Sequence, residues 1–556
     1  MPKIDMEKIM LLIFFAVILF LGPGVLFDYK IKHDFPFAYS ASDAFQHQVR
    51  ADAIKDMGNF RYEAFYISSG LEGTVGRYPP ALYHLAVILS YGAGIETYDS
   101  VYFIVTFFAI IASLVMYFII RNFNKTVALI SLPLLMLIFS FPVSIGFLWG
   151  HWPSILSQSF LLLFFWSIMK IDMKHGYILA ALSLSATALT HTSETIFAFI
   201  FLALFFAIKL IVKNLNKNDI KNIVLALAIF LVVSFYYLII FQNTWAQGQP
   251  YSFAVQPVWE GNPGFYIAGF GLLLIPIILG FVFSIPKLKT LDVSIILGLA
   301  MLISGFLNYI GFQLRSFQIR FFWPIYLSVF MGFGLYVLLK FIVKKCNFAY
   351  TSAIFILLLI LLAGAVKLPM LKQTDMQVIP SIPYLNMATS QGIMDQYHWK
   401  ALKWLSENTE QESKIYFFYG DIYGQDALLR NSKRFHYQVD PDDFVKSIQD
   451  RKIKKSYISE LPGDTGGGIT IRKDLFNFES ATESLPTEYF LGPKGICTFN
   501  YLVFDKVSRQ QVLAQYNVLI ASEMVKKNAS VVFENDVVII LKNNMLGADC
   551  IEERSF

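Results

Sequence analysis

Ser40-Ala-Ser-Asp43-Ala-Phe-Gln-His47-Gln-Val-Arg50, and further on Gly76-Arg77-Tyr78-Pro79-Pro80, stand in a polar stretch, residues 28–98, directly after the first hydrophobic run of the chain. The sequence beyond it is greasy for about 270 residues, so a loop this long and this rich in ionisable groups is the feature around which the fold has to be read. The side of a membrane on which it lies decides the rest.

Apolar residues fill 56 % of the 556 positions and charged ones 15 %, with a mean hydropathy of +0.54. Soluble domains carry about 25 % charged residues. The excess apolar character is concentrated in residues 1–366, which hold eleven apolar runs, from Lys8–Phe27 to Tyr350–Val366. Most are about 18–22 residues long, enough to cross a hydrocarbon core of ~30 Å. Residues 367–556 have the mixed polarity of a soluble domain. The expected fold class is an α-helical polytopic membrane protein of about eleven transmembrane helices with a C-terminal extracytoplasmic α/β domain. Met1–Phe27 lacks a small-residue cleavage site and is read as a retained first helix rather than a signal peptide.

Basic residues test the topology. With the N-terminus inside, fifteen lysines and arginines fall on the cytoplasmic side, against Arg315 and Arg320 alone in the short outer loops. That asymmetry is what the positive-inside rule requires. Pro80–Tyr91 is apolar but short, bounded by Pro-Pro and Gly92-Ala-Gly94. Counting it as a crossing inverts every later loop, so it is expected to lie in the interface. Loop 28–98 and domain 367–556 then share the extracytoplasmic face of a multi-pass protein. The net charge of +5 reads as topology rather than as a nucleic-acid surface. Cys346, Cys497 and Cys550 have no metal-ligand spacing, and a Cys497–Cys550 disulfide is an open possibility for an outer domain.

On this topology the outer face collects the candidate chemistry. Asp43, His47 and Arg50 share one stripe of a helix running from about Asp43 to Met57, capped by Ser40 or Ser42, while Phe45, Val49 and Ala53 form a second stripe facing the membrane. An ionised Asp43 can take a proton from a hydroxyl or ligate a divalent metal; the plainer reading is an ordinary helix cap. Arg77 ahead of Pro79-Pro80 suits a phosphate oxyanion, or lipid headgroups. Trp149-Gly-His151-Trp-Pro153 and Thr190-His191-Thr-Ser-Glu194 occupy outer helix ends, where converging ionisable groups mark a functional site. His151 with Asp43 or His47 can supply the N and O donors of a metal site, Mg or Mn, or His151 is an aromatic-belt residue. Arg315 and Arg320 of Gln313-Leu-Arg315-Ser-Phe-Gln-Ile-Arg320-Phe-Phe-Trp-Pro324 can clamp a phosphate or diphosphate, or anchor anionic lipid. In the outer domain, His398–Asn408 has helical spacing and Lys414–Gly420 reads as a buried strand. Val531–Phe533 and Val537–Leu541 form a hairpin about Glu534-Asn-Asp536. Gly463–Gly468 lacks the flanks and lysine of a phosphate loop.

This combination resembles the GT-C superfamily of integral-membrane glycosyltransferases, which includes oligosaccharyltransferases, O-mannosyltransferases and aminoarabinose transferases. The similar features are Asp43 early in a long first outer loop, Arg77 with Pro79-Pro80 before an interfacial helix, and Arg320 opening a late helix. The resemblance implies sugar transfer from a polyprenyl-phosphate or -diphosphate donor to a glycan, lipid or protein acceptor outside the cytoplasm, with inversion. On it, Asp43, with His47, activates the acceptor, directly or through a metal shared with His151. Arg77 and Arg320 hold the donor's phosphate; Arg315, His191 and Glu194 are further candidate substrate contacts from their outer positions. The chain departs from oligosaccharyltransferases in having Gly150-His151-Trp152 where they carry an acidic pair, and it lacks their Trp-Trp-Asp motif, so transfer to asparagine sequons is not expected. The competing readings are a transporter or lipid flippase, and a non-catalytic assembly protein of the same fold.

Overall fold

The structure is a computed structural model. It describes residues 5–26, 29–59, 64–67, 78–141, 143–246, 264–307, 321–343 and 348–364, and from the C-terminal part 370–371, 376–380, 382, 392–418, 426–438, 452–453, 469–472, 478–481, 499–507, 511–544 and 554–555. Arg77, Arg315, Arg320, the three cysteines and the Gly463–Gly468 loop lie outside the described residues.

Each of the eleven apolar runs contains helix in its described part. In chain order the helices are α1 (Met6–Leu26), α2 (Ser42–Met57), α3 (Ala81–Ala93), α4 (Thr97–Phe123), α5 (Lys125–Ser131) and α6 (Val143–Trp149). They continue as α7 (Trp152–Ile168), α8 (Gly176–Thr190), α9 (Thr192–Ile211), α10 (Lys217–Ala246) and α11 (Gly264–Phe270). The series ends with α12 (Leu274–Ser284), α13 (Val293–Phe306), α14 (Trp323–Tyr326), α15 (Ser328–Val343) and α16 (Phe348–Leu362). Among the described residues, six helical stretches are long and apolar enough to cross a bilayer unaided, and six further apolar helices have 10–17 residues. This is a multi-pass membrane protein.

The run Val127–Ile145 departs from the expected single helix. Asn124 is extended and caps α5, its side chain accepting from the amides of Thr126 (2.9 Å) and Val127 (3.1 Å). Pro133 then brings a 3-10 segment, Pro133–Phe139, because proline has no amide for the α-helical ladder and crowds the preceding turn. Every residue of that segment is buried, so the irregular backbone sits inside protein rather than against lipid. Elsewhere glycines let helices touch. A Cβ on Gly280 of α12 would meet Phe330 O at 1.8 Å, and one on Gly334 of α15 would meet Pro276 O at 2.0 Å. Such backbone contact is how apolar helices associate when lipid offers no hydrophobic gain.

The two ends of the bundle differ. At one, Glu7 binds Arg121 and Lys125 (2.6 Å to Lys125), and Lys209 binds Asp219 at 2.8 Å. At the other stand His33, hydrogen-bonded to Asp99 at 2.7 Å, and the ends of α2, α3, α7 and α9. α3 is a 13-residue helix closed by Gly94 in the left-handed region, too short to span a bilayer, and it packs on α2 and α4.

The C-terminal part builds a five-stranded sheet in the order Phe435–Gln438, Lys414–Phe417, Tyr501–Asp505, Val538–Asn543, Ala529–Glu534. The first three strands are parallel; the last two form the antiparallel hairpin expected about Glu534–Asp536. The helix Gln396–Asn408 precedes them, capped by Asp395. This unit is fastened to the helices. Lys433 reaches Asp56 (2.7 Å) and Asp52 (3.9 Å) on α2, Trp399 packs on Tyr98, and Ile393 N donates to Tyr39 O.

Candidate active site

The site is built from the first turn of α2, because the α6–α7 turn lies directly on it. Gly150 has φ +87°, and a Cβ there would fall 2.1 Å from Ala44 N, so only glycine lets the two backbones come this close. Ser40 reinforces the contact, its amide (3.1 Å) and hydroxyl (2.9 Å) both donating to Leu148 O. Ser40 and Ser42 therefore do not cap α2 as expected: its N-cap is Ala41, without a side-chain hydrogen bond. The expected amphipathic surface helix is also corrected. Both stripes of α2 are buried, His47 and Arg50 as well as Phe45, Val49 and Ala53, because α3, α4 and the α/β unit cover it.

Within this packing Asp43 remains open to solvent, its side chain 52 % exposed, with Oδ2 lying 3.8 Å from His151 Nε2. His151 opens α7, and the next residue, Trp152, is fully buried against Tyr39, Tyr102 and His47, its indole donating to Phe147 O at 2.7 Å. One turn along α2, His47 shares a 2.9 Å hydrogen bond through Nδ1 with the Tyr83 hydroxyl of α3. Burial pushes the His47 imidazole well below its ordinary pKa, and the nearby charges of Arg50, His191 and His151 push the same way. It is therefore a neutral ring at pH 7. Arg50 lays its guanidinium 4.4 Å over the Tyr78 ring.

A second polar chain comes from α7 and α9. His191 is the extended residue joining α8 to α9, and its Nδ1 lies 2.5 Å from Glu194 Oε2. Glu194 is fully buried, and its other oxygen accepts from the Ser154 hydroxyl at 2.5 Å. Gln158, one turn below Ser154, donates to Ser154 O (3.2 Å) and accepts from Phe322 N (2.8 Å) and Tyr326 OH (3.0 Å). Phe321 stacks edge-on against Phe197 of α9 at 5.5 Å. The chain thus runs from the start of α14 through α7 to His191.

No family model matches the chain, and no curated protein matches its sequence. Solved structures do match. The apo oligosaccharyltransferase of Archaeoglobus fulgidus superposes with TM-score 0.55 at 14 % identity, over 92 % of this chain and 72 % of that one. ArnT from Cupriavidus metallidurans bound to undecaprenyl phosphate gives 0.51 at 12 % identity, over 97 % and 99 % of the two chains. The fold is that of the GT-C glycosyltransferases. The A. fulgidus enzyme in complex with Zn and sulfate is similar too, with TM-score 0.50 at 14 % identity, over 96 % of this chain and 73 % of that one.

On the GT-C frame, Asp43, His47, His151, His191 and Glu194 all come from helix ends on one side of the bundle. Asp43 and His151 are adjacent, and His47 feels both His151 and His191. Tyr83, Ser154 and Gln158 were not singled out from sequence. Ser154 and Gln158 had a signal: two polar groups at i, i+4 in an apolar helix, whose burial demands partners. No cluster of three metal-ligating residues occurs among the described residues. At 3.8 Å the Asp43–His151 pair stands about 0.4 Å wider than two ligands ~2.1 Å from a tetrahedral ion, so a small side-chain rotation would have to close it on an ion.

Proposed function

We propose that this protein is a membrane glycosyltransferase that moves a sugar from a polyprenyl-phosphate or -diphosphate donor to an acceptor on the extracytoplasmic face. The supporting observation is the seating of Gly150 on α2, which brings the exposed carboxylate of Asp43 beside His151 in a GT-C fold. On this reading residues 1–366 are the catalytic membrane domain and 367–556 an extracytoplasmic domain, with the N-terminus cytoplasmic.

Asp43 removes the acceptor hydroxyl's proton as that oxygen attacks the anomeric carbon, and the sugar–phosphate bond breaks on the opposite face, with inversion. The lipid phosphate leaves with the bonding electrons. Arg77, Arg315 and Arg320 meet its charge; guanidinium groups match phosphate oxygens two at a time. His191, oriented by the buried Glu194, contacts the donor, and the neutral His47 keeps the wall beside Asp43 uncharged. Asp43 and His151 would hold a divalent ion, which when bound lowers the pKa of a coordinated hydroxyl and offsets phosphate charge.

The test is sugar transfer from a polyprenyl-phosphate donor in membranes carrying Asp43→Ala. Transfer is expected to be abolished with donor binding intact; unchanged transfer sinks the assignment. Activity surviving exhaustive EDTA treatment would remove the metal.

A further inference from the structure

Two triplets of the chain match Asn-x-Ser/Thr with x other than proline: Asn124-Lys-Thr126 and Asn528-Ala-Ser530. This is the acceptor pattern for an N-linked saccharide. A pattern of three residues recurs by chance, so the surroundings of each asparagine decide its meaning. The two stand in opposite surroundings.

Asn124 joins α4 to α5, and its side chain is already in use. Its Oδ1 accepts from the amides of Thr126 (2.9 Å) and Val127 (3.1 Å), which holds the carboxamide against the start of α5. Thr126, whose hydroxyl completes the pattern, lies inside the first turn of that helix. The neighbouring Arg121 and Lys125 bind Glu7, at the end of the bundle expected to face the cytoplasm.

Asn528 stands in the turn between the helix Gln511–Lys526 and the strand Ala529–Glu534 of the α/β unit. Main-chain hydrogen bonds close the turn, Lys527 N donating to Met524 O (3.1 Å) and Asn528 N to Val525 O (3.2 Å). Asn528 has φ +77°, in the left-handed region that asparagine enters more readily than most residues with a side chain. It is exposed, and among the described residues its carboxamide has no hydrogen-bond partner. Ser530 is exposed too, and Ala529 between them is buried, the alternation that leaves positions i and i+2 open together. Their strand lies at the edge of the five-stranded sheet. The Ser530 hydroxyl meets the exposed Asn544 Nδ2 at 3.3 Å, a surface contact that a modifying enzyme can displace.

We propose that Asn528 is an N-glycosylation site, which takes a saccharide from a lipid-linked oligosaccharide through an oligosaccharyltransferase of the same membrane. Asn528 Nδ2 bonds to the anomeric carbon as the bond from that carbon to the lipid diphosphate breaks. The diphosphate leaves with the electron pair, and the amide proton passes to a base of the transferring enzyme. The saccharide then stands beside the open strand edge, a hydrophilic cover over main chain with which another strand could pair. The modification rests on the outer placement of residues 367–556 in the function proposed above, and not on sugar transfer by the chain itself.

Mass spectrometry of the full-length protein purified from its own cells tests the site. Trypsin cleaving after Lys526 or Lys527 releases a peptide that ends at Lys542 and contains the triplet. That peptide is expected to carry a saccharide on Asn528, with Asn535 and Asn124 unmodified. Ser530→Ala, an exposed substitution, should lose the saccharide, and Ser530→Thr should keep it. Asn528→Asp, which still suits the left-handed turn, should lose it as well. A bare peptide from the unaltered protein, a saccharide retained in Ser530→Ala, or one carried on Asn535 or Asn124 instead overturns the proposal. A membrane-impermeant amine reagent on intact cells separates the causes of a bare peptide. Labelling of Lys403, whose side chain is 56 % exposed, leaves the outer placement standing and sinks the site alone; a protected Lys403 sinks both.

Discussion

The two ends of α2 carry carboxylates in opposite circumstances. At the last turns, Asp52 is largely covered and accepts from Thr97 and from Gln48 (3.0 Å), while Asp56 accepts from Tyr66 and Lys433, each at 2.7 Å. Burial raises the pKa of Asp52 above the usual carboxylate value, and Lys433 and Thr97 pull it back. At the first turn, Asp43 keeps half of its surface open, beside an imidazole. One helix therefore spends its C-terminal acids on holding the α/β unit and leaves its N-terminal acid accessible. Full satisfaction marks structure; accessible charge at a crowded helix junction marks chemistry.

Substitutions at the two ends should separate these roles. Asp43→Asn is expected to lower sugar transfer by about 10²–10⁴-fold, the usual contribution of a positioned acid–base group. Thermal unfolding should move by less than about 0.5 kcal/mol, as for an exposed position. A large loss of stability would place Asp43 with Asp52. Lys433→Met should do the reverse. Leaving the partly covered Asp52 without its cation costs about 1–3 kcal/mol, read as a lower unfolding midpoint and faster proteolysis between the α/β unit and α2.

The same logic extends to His398, which lies between Asp395 (2.8 Å) and Asp505 (3.1 Å). Burial opposes its charge, but the hydrogen bonds and charges of the two aspartates outweigh that and raise its pKa to about 10, from an ordinary 6.5. A raised pKa means that the folded state holds the proton more tightly. The stabilisation is complete below pH 6.5 and disappears as pH rises through 10. It amounts to on the order of 5 kcal/mol, seen as a falling melting temperature of the α/β unit over that range. His398→Gln should flatten the dependence. The smallest effect belongs to Glu194→Gln, which keeps the Ser154 contact but loosens His191. About a tenfold rise in the donor KM, with acceptor KM unchanged, is the expected result in steady-state transfer assays. Equal changes in both would make Glu194 purely structural.

Much of the architecture was legible because hydrophobic length is a strong signal in lipid. Each of the eleven runs contains helix, the Pro80–Tyr91 segment is a short helix, and the hairpin about Glu534–Asp536 falls where its turn residues place it. What periodicity could not convey was environment. The alternation along α2 suggests one wet and one greasy stripe, but its burial depends on α3, α4 and the short helix Asp426–Leu429, more than 350 residues later. The break inside Val127–Ile145 was hidden by uniform hydrophobicity, although Pro133 stood in the middle of it. Among candidate site residues, helix ends were readable and partners were not. Asp43 and His151 followed from loop position, whereas the Ser154–Glu194–His191 chain required three helices to be placed first.

Gly150 gives the molecule a fixed gauge. Because Gly150 in the turn before α7 sits on the main chain of α2, the separation of the two backbones that carry Asp43 and His151 is set by backbone thickness. A single added methyl has nowhere to go except to wedge the two helices apart. The width available to a hydroxyl, or to an ion, is thus encoded by the absence of a side chain rather than by the identity of one.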